Sequence, residues 1–303
     1  MKKILTAIII SMFIGITGCN KHECNKEHYA SFLFDNAGTR VMNSLSYQMS
    51  EETFKSIVSR CKANGDTWIY LYMANAGDGN PPRTSFYVND QHAGEIDENK
   101  VNMMKSRLKY CREEGLCVVA WLFPDDSSSI TRAFVEIDGE TMELEGHSSL
   151  MTNVEFDAEM PREPMEHISK VPFDKQFKYI DDVVDNFDDW ICSYCIGLEL
   201  NEYFNDTQVF QLIDKLLTRT SKSIGVHWTI GKTSLCEADT LYYQYGFGLS
   251  AARVASITQS KKASLPAGKR FIAAEYAKNS DKEGKTLGQA ALGAGADGVG
   301  NGH

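Results

Sequence analysis

Basic clusters are missing from this chain. Lys and Arg number 31 against 41 Asp and Glu, a formal charge of −10, and no run of Lys or Arg is interleaved with aromatics. A surface this acidic repels phosphate backbones, so no nucleic acid partner is expected, while neutral sugars stay open. Metal-ligand spacing is missing too. The 7 histidines are scattered, with no HxH or HExxH pattern, so no metal site and no cofactor is expected. The Gly-rich phosphate turn of a nucleotide-binding sheet does not follow the first strand-like segment. No apolar stretch reaches the roughly 20 residues that a spanning helix needs.

One shorter apolar run is present, at the very start. Met1-Lys2-Lys3 is a basic opening, and Ile4 to Ile16 is apolar apart from Thr6, Ser11 and Gly15. This is the pattern of an export signal. The run closes on Ile16-Thr17-Gly18-Cys19, which resembles the lipobox of bacterial lipoproteins. The resemblance implies cleavage before Cys19, acylation of its thiol and membrane attachment through that lipid. Asn20 follows the cysteine rather than Asp, which in that family favours the outer membrane of the cell envelope. Residues 1–18 are then a signal peptide, 19–27 a lipidated tether and 28–303 the folded domain. Losing residues 1–18 removes Lys2 and Lys3 and no acid, so the charge becomes −12. About 280 residues remain, enough for one large α/β domain.

Seven of the 8 cysteines remain after Cys19, an odd number: Cys24, Cys61, Cys111, Cys117, Cys192, Cys195 and Cys236. Export permits disulfides. Most of these residues nevertheless sit within apolar helical or strand patterns, so buried thiols are expected. Cys192-Ser-Tyr-Cys195 has redox spacing but falls in a predicted strand, where an offset of three sends the two side chains to opposite faces.

Strand-like and helix-like segments alternate along the domain. Strands are predicted at 29–34, 67–73, 116–123, 191–198, 224–229, 240–245, 270–275 and 297–300. Helices are predicted at 50–65, 97–115, 173–190, 206–223, 250–261 and 285–294, with a short one near 234–238. No period holds from Pro124 to Pro172 except a hairpin around Asp138-Gly139. Eight strands, each but the last followed by a helix, imply parallel βαβ units closed into a (β/α)8 barrel that lacks the last helix.

Reactive residues of such barrels stand at the C-terminal strand ends. Those positions hold Asp35, Asn75, Asp78, Asp125, Asp126, Glu199, Asn201, Glu202, His227, Trp228, Tyr242, Tyr245 and Glu275. Carboxylates and aromatics dominate. Gly197-Leu-Glu-Leu-Asn-Glu202 resembles the fourth-strand signature of the clan A glycoside hydrolases, and Phe271-Ile-Ala-Ala-Glu275-Tyr276 resembles their seventh-strand end. The resemblance implies that Glu202 is the general acid/base, Glu275 the nucleophile, and Asn201 the partner of a sugar 2-hydroxyl. It also sets Tyr245 near the nucleophile. Trp121 and Trp228 are candidates to stack on sugar rings, and Asp35, Asn75 and His227 to contact substrate.

Two carboxylates suit that chemistry because one must be protonated, to protonate the leaving oxygen, while the other stays ionised to attack the anomeric carbon. The implied substrate is a poly- or oligosaccharide. Two positions depart from the clan pattern: Tyr203 stands where Pro commonly follows Asn-Glu, and Gly298-Val-Gly-Asn-Gly-His303 has no Trp. They leave a second reading open, a non-catalytic lipoprotein that binds glycan or protein on the same scaffold. A third is a different barrel enzyme with Asp35 or Asp78 as its acid.

Overall fold

The computed structural model describes residues 24, 27–30, 50–74, 86–88, 94–122, 130–137, 140–146, 166–168, 173–197, 206–228, 235, 237–246, 248–275 and 281–300. In chain order the strands are β1 His28–Tyr29, β2 Trp68–Ala74, β3 Cys117–Leu122, β4 Ile130–Ile137, β5 Glu140–Gly146, β6 Glu166–Ile168, β7 Ser193–Ile196, β8 Ser223–Trp228, β9 Thr240–Gln244, β10 Arg270–Glu275 and β11 Gly298–Val299. The α-helices are α1 Glu51–Ala63, α2 Glu98–Glu113, α3 Phe173–Phe187, α4 Asp206–Leu217, α5 Ala251–Ser264 and α6 Asp281–Gly293.

Eight strands form one parallel sheet in the order β1-β11-β10-β9-β8-β7-β3-β2. The two ends of that order meet through Thr67. Its N–H donates to the Tyr29 carbonyl at 2.9 Å, and its hydroxyl accepts from the Tyr29 N–H at 3.1 Å. The Thr67 carbonyl accepts from Cys117 at 2.9 Å on the other side. One residue thus links β1, β2 and β3, and the sheet is the nearly closed eight-stranded barrel expected from the alternation of segments.

The helices form where capping and apolar spacing agree. Ser50 accepts from the Thr53 N–H to start α1, whose Phe54, Val58 and Cys61 recur at helical spacing and are buried. Asp97 caps α2 by accepting from Asn99 and Lys100, and Val101, Met104, Leu108 and Cys111 face the barrel layer. Each helix stops at a glycine in the left-handed region, Gly65 and Gly115, where a Cβ is disfavoured. In α3 and α4 the buried rows are Tyr179, Ile180, Val183, Phe187 and Val209, Leu212, Ile213, Leu216.

The period-free stretch after β3 contains a small second sheet. β4 and β5 pair antiparallel from Ile137↔Glu140 to Thr131↔Gly146, as a hairpin there requires, and β6 adds to the other edge of β4. Among the described residues no helix is long and apolar enough to cross a membrane.

Two apolar layers result. One lies between strands and helices. The other fills the barrel interior with Ala30, Trp68, Tyr70, Cys117, Val119, Trp121, Cys195, Tyr242, Ile272 and Ala274. Glycines elsewhere in the barrel leave room there for the large rings. A Cβ on Gly225 would stand 2.2 Å from the Tyr242 ring, and one on Gly300 would stand 2.7 Å from the Tyr70 hydroxyl.

The expectation that the cysteines are thiols holds for Cys61, Cys111, Cys117 and Cys195, all buried. It is corrected at Cys24 and Cys192, which form a disulfide across 168 residues of sequence. Cys192 precedes β7 instead of lying within it. The barrel brings the segment before β1 and the segment before β7 to the same end of the sheet, a proximity that no local pattern encodes.

Candidate active site at the barrel mouth

Glu275 is the last residue of β10, the seventh strand of the barrel in chain order. Simple alternation would send it outward with Phe271 and Ala273, toward the helices. The register with β9 shifts instead: Ala273 pairs with Tyr243, while Glu275 pairs with Gln244. This bulge at Ala274 re-aims the terminal side chain. Glu275 joins the inward face that carries Tyr242 and Gln244, and its Oε2 lies 3.8 Å from His227 Nε2. Its backbone is pinned by the Tyr245 N–H, which donates to the Glu275 carbonyl at 2.8 Å.

Solvent reaches the interior from this end. Glu275 is 8% and Gln244 9% exposed, whereas Tyr242, Ile272 and Cys195 beneath them are at 1%, 0% and 0%. His227 is wholly buried, and desolvation pushes its pKa down to about 3. It is therefore neutral at physiological pH, so it provides no cation against Glu275. The Trp121 ring lies 5.0 Å from the His227 ring, between centroids. Trp121 is fixed by its indole N–H, which donates to the Gly197 carbonyl at 2.6 Å. Gly197 adopts φ 75°, a conformation that favours glycine, as the chain leaves β7.

Below these groups an aromatic column continues to the floor. Tyr70 meets Trp121 and Tyr242 edge-on at 5.3 and 5.8 Å, and its hydroxyl hydrogen-bonds His28 Nε2 at 2.5 Å. His28 stacks on Trp68 at 4.6 Å. Burial and the nearby Arg270 charge hold His28 well below its ordinary pKa. His28, Trp68 and Tyr70 carry no catalytic pattern in the sequence; only strand parity places them inside.

The candidate residues therefore separate. Glu275, His227 and Trp121 come together at the inner mouth. Tyr245 does not join them through its ring. It lies on the outer face with Tyr243, 5.0 Å away edge-on, and its hydroxyl hydrogen-bonds Thr258 of α5 at 2.7 Å. Trp228 likewise shares the outer face with Val226 and packs in the layer beneath the helices. Both corrections have one cause: alternation turns residues 226, 228, 243 and 245 away from the interior. Of the remaining candidates, Cys19, Asp35, Asn75, Asn201 and Glu202 lie outside the described residues. The one trio of metal-type ligands among the described residues is Cys24, Cys117 and Cys192, at the opposite end.

No family model matches the chain, and no curated protein does. Solved structures do match. A GH5_18 protein from Streptomyces cattleya, crystallised with GlcNAc, shares 11% identity at a TM-score of 0.57, over 91% of this chain and 70% of that one. A glycoside hydrolase assigned as such without proof in Bacteroides vulgatus shares 10% identity at 0.57, over 91% of this chain and 55% of its own length. A β-glycosidase shares 10% identity at 0.50, over 82% and 76%. At these identities the likeness is one of fold: this chain has the (β/α)8 barrel on which those glycoside hydrolases are built.

Proposed function

We propose that the protein is an exported, lipid-anchored glycoside hydrolase that cleaves glycosidic bonds in a poly- or oligosaccharide by a two-carboxylate mechanism. The observation that carries this reading is the bulge that turns Glu275 into the barrel mouth at the end of the seventh strand. In the proposed mechanism Glu275 is ionised and attacks the anomeric carbon, while Glu202, following the fourth barrel strand, protonates the leaving oxygen. Water then releases the sugar, with Glu202 acting as base. Burial keeps His227 neutral, so the imidazole beside Glu275 adds no positive charge to the site. The sugar complex and the glycosidase among the structural neighbours accord with a carbohydrate substrate.

Attachment at Cys19 places the barrel at the cell envelope, at the outer membrane by the residue that follows. The disulfide Cys24–Cys192 fits an oxidising compartment reached by export. It also shortens the tether. Only the stretch from Cys19 to Cys24 is left to extend, at most about 18 Å.

The test is a panel of labelled oligosaccharides with wild-type protein, Glu202→Gln and Glu275→Ala. On any responsive substrate each variant is expected to lose at least about 10²–10⁴-fold in rate. Unchanged rates in both variants would reject the assignment. The second reading, a barrel that binds glycan or protein without catalysis, rests on Tyr203 after Asn201-Glu202 and on the lack of a Trp at the eighth strand end, where Tyr70 and Ala274 crowd Gly300. It expects retention of oligosaccharides without cleavage by any of the three proteins.

A further inference from the structure

At the floor of the barrel the sulfurs of Cys24, Cys117 and Cys192 all lie within 4.8 Å of one another. Two of them form the disulfide, and Cys117 is a buried thiol. Cys24 and Cys192 are half-buried and pack against the interior cluster to which Cys117 belongs. Cys117 opens β3, and Cys192 lies beside it just before β7, its N–H donating to the Val118 carbonyl at 2.9 Å. The other thiols are placed differently. Cys61 and Cys111 sit on α1 and α2 in the outer layer, and Cys195 lies further up the interior.

A thiol whose sulfur lies within 4.8 Å of both sulfurs of a disulfide is placed for thiol–disulfide exchange. We propose that Cys24, Cys117 and Cys192 form an intramolecular exchange site that releases the N-terminal segment from the barrel floor. Cys117 gives up its proton, and its Sγ attacks the Cys192 Sγ. The Cys117–Cys192 bond forms as the Cys24–Cys192 bond breaks. Cys24 leaves as a thiolate and takes up the proton. One disulfide and one thiol remain, so no external oxidant or reductant is consumed. The product bridge joins neighbouring strands β3 and β7, while Cys24 returns to its segment. If Cys19 carries the lipid, release of Cys24 lengthens the extendable tether from at most about 18 Å to about 26–29 Å, counted to Glu27. Exchange at the floor thus sets how far the mouth stands from the membrane. The exchange stands on the sulfur geometry alone, and only its consequence for reach rests on the anchor.

The experiment maps disulfides by peptide mass spectrometry in the full chain, after equilibration in a dithiothreitol redox buffer, acid quench and alkylation. Wild-type protein is expected to yield both Cys24–Cys192 and Cys117–Cys192. Cys117→Ser is expected to yield Cys24–Cys192 alone. Cys24→Ser should close the Cys117–Cys192 bridge, and Cys192→Ser the Cys24–Cys117 bridge. Recovery of Cys117 as an alkylated thiol throughout the wild-type series and in both of those variants would overturn the proposal. The wild-type map needs no variant to fold, and none of its outcomes depends on glycan cleavage.

Discussion

The two ends of the barrel interior use similar side chains for different ends. At the floor His28 stacks on Trp68 and hydrogen-bonds Tyr70, and a disulfide closes the space beneath. At the mouth His227 also packs against a tryptophan, Trp121, but tilted by 55° where His28 stacks at 19°, and the group beyond it is a carboxylate that solvent can reach. Each end thus buries a neutral histidine among aromatic rings. The difference lies in what the backbone does. At the floor the strands pair in register, whereas at the mouth β2 shifts against β3 between Tyr72 and Ala74, and β10 shifts against β9 at Ala274 and turns one acid inward. Regular packing there gives a closed end. Irregular strand ends put a carboxylate at the other.

The packed interior is expected to be far less tolerant of substitution than the mouth. Gly225→Ala places a methyl 2.2 Å from a Tyr242 ring already held by Tyr70, Trp121 and His28. Overpacking of this kind destabilises by roughly 1–3 kcal/mol. A fall of several degrees in Tm is expected by calorimetry, whereas Glu275→Gln at the solvent-reached mouth is expected to leave Tm unchanged or raise it. Equal losses of Tm in both variants would erase the distinction between a packed interior and an adjustable mouth.

The two buried histidines also make stability depend on pH. His227 has its pKa lowered from 6.5 to about 3 in the folded state, and His28 is lowered as well. The unfolded chain therefore takes up protons first as the pH falls. The stability gained from neutral burial is complete above about pH 6.5 and is lost progressively toward pH 3. Urea unfolding at pH 7.5 and pH 5 is expected to show a larger drop for wild type than for His227→Gln. Equal drops in the two proteins would mean that His227 is not buried neutral.

Much of the barrel was legible in the sequence because apolar runs such as Leu116–Phe123 and Arg270–Glu275 end on polar clusters, while Ser50 and Asp97 mark helix starts. Glu275 was legible as a strand-end carboxylate. Its orientation was not, since the bulge is a property of backbone register and strict alternation points the side chain outward. Tyr245 and Trp228 show the reverse. The alternation that puts Tyr242 inside and Tyr243 outside also turns Tyr245 outward, so parity held the information and closeness to a strand end did not. The disulfide had no local signal at all, because Cys24 meets Cys192 only when the ring of strands closes.

The proposed cleavage needs two carboxylates on one barrel mouth, and a crystal structure of the full domain measures their separation. The carboxyl groups of Glu202 and Glu275 are predicted to lie within the catalytic ranges, about 5–5.5 Å for a retaining enzyme or about 6.5–9.5 Å for an inverting one. A separation beyond about 10 Å would contradict the two-carboxylate reading and leave the barrel as a binding scaffold.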